Sequence, residues 1–197
     1  MAASDNKEMN TGWMKSVVLY LHDLIYMLMT ILILFLLVFR VIVVSGDSMK
    51  MTLLDGDYLL LLSNTFYQNP QYGDIVVVSK ESFDDGAPIV KRVIATEGQT
   101  VDIDFEAGIV HVDGKIIHED YINNLTLNSW GTEFPLIVEE NTFFVMGDNR
   151  AVSKDSRDPE IGLIDKREIL GKAIFLMIPG DDRGEEILDY SRIGVIK

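Results

Sequence analysis

LIYMLMTILILFLLVFRVIVVSGDSMKMTL, residues 24–53, decides how the rest of the chain is read. Residues 24–39 carry no charge, and residues 41–44 extend the apolar run past Arg40 to about 20 residues, enough to cross roughly 30 Å of hydrocarbon. That is too long for the apolar core of a cleavable leader. Arg40 can snorkel to one interface, His22 and Asp23 mark the other, and residues 17–21 can lie along the membrane surface. The reading is a short disordered tail over residues 1–16, a transmembrane helix with an interfacial start over 17–44, and one folded domain over 45–197. Lys7 and Lys15 precede the span, and since only Lys and Arg count in the charge rule, the N-terminus is expected in the cytoplasm and the domain outside it.

Of 197 residues, about 150 remain after the span, a common size for a single domain with one core. Asp and Glu number 31 against 17 Lys and Arg, a formal charge of -14, so there is no basic face for phosphates and no nucleic-acid partner is expected. The chain has no cysteine, which removes disulfides, thiolate zinc sites and thiol nucleophiles together. An exported domain of this kind must be held by packing alone.

Short β-branched or alternating runs at residues 58–62, 75–79, 89–95, 101–105, 108–117, 136–138, 142–146 and 169–178 are bounded by Gly, Pro, Asn and Asp clusters. Asp113-Gly114 is a hairpin turn signal. With no convincing long helix after the span, the expected fold is mostly β: one N-terminal transmembrane helix followed by a single extracytoplasmic domain of coiled, largely antiparallel sheets. The charged tail beyond Gly180 is assigned no role.

Ser48 stands just past the span, on a bend that Gly46 permits. A serine hydroxyl needs a neighbour to remove its proton. His22 falls beside the span, and His111 and His118 lie on an ordinary hairpin and its exit. Lys91 interrupts an apolar strand, where burial can keep an amine neutral, and Arg92 follows it. The third polar stretch, residues 146–157 (MGDNRAVSKDSR), follows an apolar strand. Taken singly, each has a plainer reading: a turn serine, an edge-strand charge that blocks aggregation, a solvated loop. Asp102, Asp104 and Glu106 open like a calcium loop, but the glycine is one place late and the twelfth position is Asp113 rather than Glu. His111 and His118 do not share a helical face. No metal or cofactor is expected.

In this order after one span, SGDSMKMTL, IVKRVIA and MGDNRAVSKDSR resemble the bacterial type I signal peptidases of the single-span kind, over roughly residues 15–180. The resemblance implies a membrane-bound serine endopeptidase that cleaves signal peptides from exported preproteins and works without a partner subunit. It implies Ser48 as nucleophile and, through its N–H, oxyanion donor, and Lys91 as general base. Ser153 would hold the lysine amine, Arg92 would pair with Asp148 and Asp155 with Arg157, and Val44, Met49 and Val90 would line the substrate groove. Three departures stand out: Gly46 where some relatives carry a serine as second oxyanion donor, Met51 where many carry proline, and residues 95–99 where they carry Gly-x-Pro-Gly-Asp. A self-cleaving repressor with the same dyad would need a DNA-binding helix-turn-helix where this chain has its span. An inactive, membrane-tethered β domain that only binds peptides is the alternative from another class, and turnover of a preprotein decides between them.

Overall fold

The computed structural model describes residues 2–181 and 188–196, with residues 2–12 as backbone alone. The chain divides at Val38 into a helical unit and a β unit.

Helix α1 runs Ala2–Val38. It therefore includes residues 2–16, expected as a disordered tail: extending an existing helix costs far less than nucleating one, and the only glycine in that stretch is Gly12. Within it, the 26-residue segment Trp13–Val38 contains an 18-residue stretch of mean hydropathy 2.3. At 1.5 Å per residue this segment is about 39 Å long, sufficient to cross a bilayer.

The expected span boundary at residue 44 is also corrected. Phe39–Val43 is strand β1, antiparallel to β2 (Tyr58–Ser63), with Phe39 opposite Leu62 and Val43 opposite Tyr58. Valine and isoleucine favour the pleated backbone, and the partner strand supplies the hydrogen bonds that a continued helix would have supplied internally.

The remaining strands are β3 (Ile75–Val78), β4 (Ile89–Thr96), β5 (Thr100–Asp104), β6 (Ile109–Val112), β7 (Lys115–Ile116), β8 (Leu136–Ile137), β9 (Thr142–Met146), β10 (Ile164–Asp165), β11 (Ile169–Ile178) and β12 (Gly194–Val195). They form two antiparallel sheets. The larger runs β1-β2-β11-β3-β4-β9-β10, with β12 added to β11, and the smaller runs β7-β6-β5-β8. The mostly β, largely antiparallel expectation therefore holds, as does the Asp113-Gly114 turn, both of whose residues have positive φ. The tail is not idle: after a turn at Tyr190–Arg192, β12 pairs with Phe175 and Leu176 of β11.

Strand β4 shows why the sheet must coil. Val90 packs in one apolar cluster with Val44, Met49, Leu53, Leu59, Leu61, Ile75 and Val77. Val93 belongs to a second, with Val76, Val78, Val145 and Ile164. Ile94 and Ala95 enter a third, shared with the small sheet. The pairing of β4 with β9 shifts register between Val93 and Ala95. Such a shift bends the strand and increases local twist, so one eight-residue strand serves three cores and is buried on both faces along most of its length.

Candidate active site

Between β1 and β2 the chain makes a tight excursion that carries Ser48. Its two ends are tied together: Val44 N–H donates to the Asp57 carbonyl at 2.8 Å and Gly56 N–H to the Val44 carbonyl at 2.9 Å. Gly46 turns the chain at φ +83°, and its N–H donates to Asp55 Oδ1 at 2.7 Å. Past Ser48, the N–H groups of Thr52 and Leu53 both return to the Met49 carbonyl, at 3.0 and 2.9 Å. Met51 sits in this turn at φ +91°, a conformation closed to proline, whose ring fixes φ near −65°.

Lys91 lies opposite Val76 in the β3–β4 ladder, and only 2% of it is exposed. Its Nζ donates to Ser48 Oγ at 2.8 Å and to the Val90 carbonyl at 3.0 Å. Burial pulls its pKa down to about 8; Asp155 and Asp148 pull the other way and Arg157 pulls with the burial. Both carboxylates are already paired. Arg92 grips Asp148 through Nε at 2.9 Å and Nη2 at 2.7 Å, while its Cζ lies 4.0 Å from the centre of the Tyr121 ring. Arg157 grips Asp155 through Nε and Nη2, each at 2.9 Å. Burial alone would raise Asp155, but Arg157, the Gly147 N–H and the Ser153 hydroxyl together hold its carboxyl below the ordinary value. The arrangement thus keeps a desolvated amine on a serine hydroxyl and gives the nearby negative charge to guanidinium groups instead.

One expectation fails. Ser153 is fully buried, yet among the described residues its hydroxyl bonds to the Lys154 carbonyl, at 3.5 Å, and to Asp155, not to the Lys91 amine. The Lys91 amine is instead turned to Ser48 Oγ and the Val90 carbonyl. Val44, Met49 and Val90 do meet beside the Ser48–Lys91 pair, but at 3, 1 and 6% exposure they form the floor of the site rather than an open wall.

The signal peptidase, peptidase S26 family matches residues 15–178. The chain belongs to this family. It is 35% identical over 150 residues to probable signal peptidase I-1 of Synechocystis sp., covering 72% of each chain. Against signal peptidase I P of Bacillus subtilis subsp. natto it is 32% identical over 177 residues, covering 86% of this chain and 89% of the relative. A signal peptidase I structure from Enterococcus faecalis V583 aligns with TM-score 0.45 at 28% identity, over 53% of this chain and 97% of that one. The protein is accordingly a signal peptidase, a serine endopeptidase of the hydrolase class.

Several residues that frame the signal peptidase site escaped the sequence reading. Arg150 is fully buried; it donates to the Gly147 carbonyl at 3.0 Å and Thr126 Oγ1 at 2.6 Å and pairs with Glu119. Glu119 and Thr126 belong to a stretch that reads only as loop. Asp57, wholly buried, accepts from the N–H groups of Leu54 and Gly180, each at 2.7 Å, and from both terminal nitrogens of Arg192, 135 residues away. The only local signal for these was the density of polar residues around 147–150 and the acidic pair flanking Gly56. Gly147 is needed for its size: a Cβ there would fall 2.5 Å from the Ser48 carbonyl oxygen and closer still to Ser153.

Proposed function

We propose that this protein cleaves signal peptides from exported preproteins at a membrane, with Ser48 as nucleophile and Lys91 as general base. The observation that carries the proposal is the 2.8 Å approach of Lys91 Nζ to Ser48 Oγ, with the amine buried and drawn down to about 8. The neutral amine accepts the hydroxyl proton as Oγ attacks the scissile carbonyl carbon. The tetrahedral oxyanion is held by the Ser48 N–H, as the family resemblance implies. Collapse expels the new amine, which takes the proton from Lys91, and leaves an acyl-enzyme. Lys91 then deprotonates a water that attacks the ester, and Oγ recovers its proton as the signal peptide departs.

The substrate lies extended along a strand edge. Two edges support this: β1 pairs only with β2 in the larger sheet, and β9 joins β4 only from Arg92 onward, so residues 89–91 lack a strand on that side among the described residues. Small residues at the first and third positions before the cut fit a shallow floor of Val44, Met49 and Val90. The segment Trp13–Val38 is the single-pass anchor, with the N-terminus cytoplasmic and the domain outside.

Turnover of a detergent-solubilised preprotein tests the proposal. Wild type cleaves it, Ser48→Ala does not, and the acidic limb of the rate follows a group near pH 8. Equal cleavage by Ser48→Ala removes the assignment, and binding without cleavage by wild type favours the peptide-binding alternative.

A further inference from the structure

We infer that Asn149 is a positioning residue that sets the plane of the Asp47–Ser48 peptide and so aims the Ser48 N–H at the developing oxyanion. The inference rests on the Ser48/Lys91 reading and extends it to a residue with no role in it so far.

Asn149 holds both carbonyls that flank Ser48. Its side-chain Nδ2 donates to the Asp47 carbonyl at 3.1 Å, and its backbone N–H donates to the Ser48 carbonyl at 2.9 Å. Facing a carbonyl oxygen, the group on the side chain must be the amide NH₂. A planar trans peptide carries its C=O and N–H in opposite directions. Fixing the Asp47 carbonyl toward Asn149 therefore fixes the Ser48 N–H away from it. That N–H meets no protein acceptor among the described residues, although the Asp47 carbonyl on the same peptide receives a second donor, Lys50 N–H at 3.1 Å. A donor beside a nucleophile, held in place and not used by the fold, is the arrangement that stabilises charge appearing in a transition state.

The clamp is itself rigid. Asn149 is 6% exposed, its carbonyl accepts from Ser153 N–H at 3.0 Å, and the neighbouring Gly147 leaves no gap against the Ser48 carbonyl. With Gly46 unable to offer a side-chain donor, the alignment of the single backbone donor carries more weight.

Two variants of the full-length protein in detergent separate this role from a general structural one. Asn149→Ala removes the side-chain donor and keeps the backbone bond to Ser48. Asn149→Asp keeps the size and sets a carboxylate against the Asp47 carbonyl. The probe is a signal-peptide-derived peptide with alanine at the first and third positions before the cut, together with its C-terminal aldehyde, which forms a hemiacetal on Ser48.

We expect kcat to fall about 10- to 100-fold in Asn149→Ala and further in Asn149→Asp, with KM changed less than about threefold. Aldehyde affinity falls in parallel with kcat/KM, the acidic limb stays where it is in wild type, and the melting temperature moves by only a few degrees. A kcat within about twofold of wild type in both variants overturns the inference. So does a loss that appears in KM, in the position of the acidic limb or as unfolding of both variants, because each marks a structural role. If the Ser48→Ala control still cleaves, the Ser48/Lys91 assignment falls and this inference with it.

Discussion

Burial that draws Lys91 down to about 8 acts on stability as well as on reactivity. The unfolded chain binds the proton with a pKa near 10.5 and the folded chain near 8, so between these values the unfolded state holds more protons and wild-type stability rises with pH. Below pH 8 the full difference, roughly 3 kcal/mol, opposes folding. Lys91→Met should abolish turnover and yet raise stability at pH 6, with the gain shrinking as the pH climbs from 8 to 10.5. Denaturant unfolding at several pH values checks this; a Lys91→Met protein less stable than wild type at pH 6 contradicts it. Met51 poses a different problem at the same scale. It is 70% exposed, so its side chain contributes little, but its φ of +91° is strained for any residue with a Cβ. Met51→Gly should hold or raise the melting temperature. Met51→Pro, although proline is common there in the resembling family, should lower it, because the turn returning to the Met49 carbonyl would have to open.

Asp57 and Arg192 join the entrance of β2 to the turn before β12, and through the Val44–Asp57 bond they fix both ends of the Ser48 excursion. Removing one partner of a buried pair strands the other's charge, typically at a cost of about 3 to 5 kcal/mol. Arg192→Met should therefore lower the melting temperature by roughly 6 to 20 °C for a chain of this size, whereas adding Asp57→Asn should recover part of the loss. Melting curves of the two single variants and the double variant give the answer, and additive losses would show that the pair is not coupled.

Elements of this kind mark the limit of sequence reading. β3, β4, β9 and β11 were legible because their β-branched runs end at Gly, Pro or Asx turns. β1 was not, since residues 39–43 continue an apolar run and become a strand only because residues 58–62 come to lie beside them. β12 and Arg192 were illegible because their partners lie far back in the chain. Ser48 and Lys91 were recoverable from three stretches taken jointly, and the two Arg–Asp pairs through the family resemblance those stretches carry, but the direction of the Ser153 hydroxyl depends on where the fold sets Asp155, which no spacing encodes.

Over the whole molecule, the 26-residue apolar segment of α1 leads without a linker into the first strand of the domain. Val43, Tyr58 and Ile178 stand side by side across β1, β2 and β11, and all three are substantially exposed, an unpaired apolar row beginning on the strand next to the span. On the proposed topology, protease added outside intact spheroplasts should digest the domain and spare the residues before Trp13. Full protection of the domain in sealed spheroplasts would reverse the orientation.

The direct passage from α1 into β1 also has a mechanical meaning. Any pull on the anchor enters the domain through the backbone at Phe39, the first of the five paired positions of the β1–β2 ladder, which runs from Phe39–Leu62 to Val43–Tyr58. The same strand ends one residue before Val44, whose N–H and C=O both close the Ser48 excursion. Tension from the bilayer is borne by that ladder before it can reach the nucleophile.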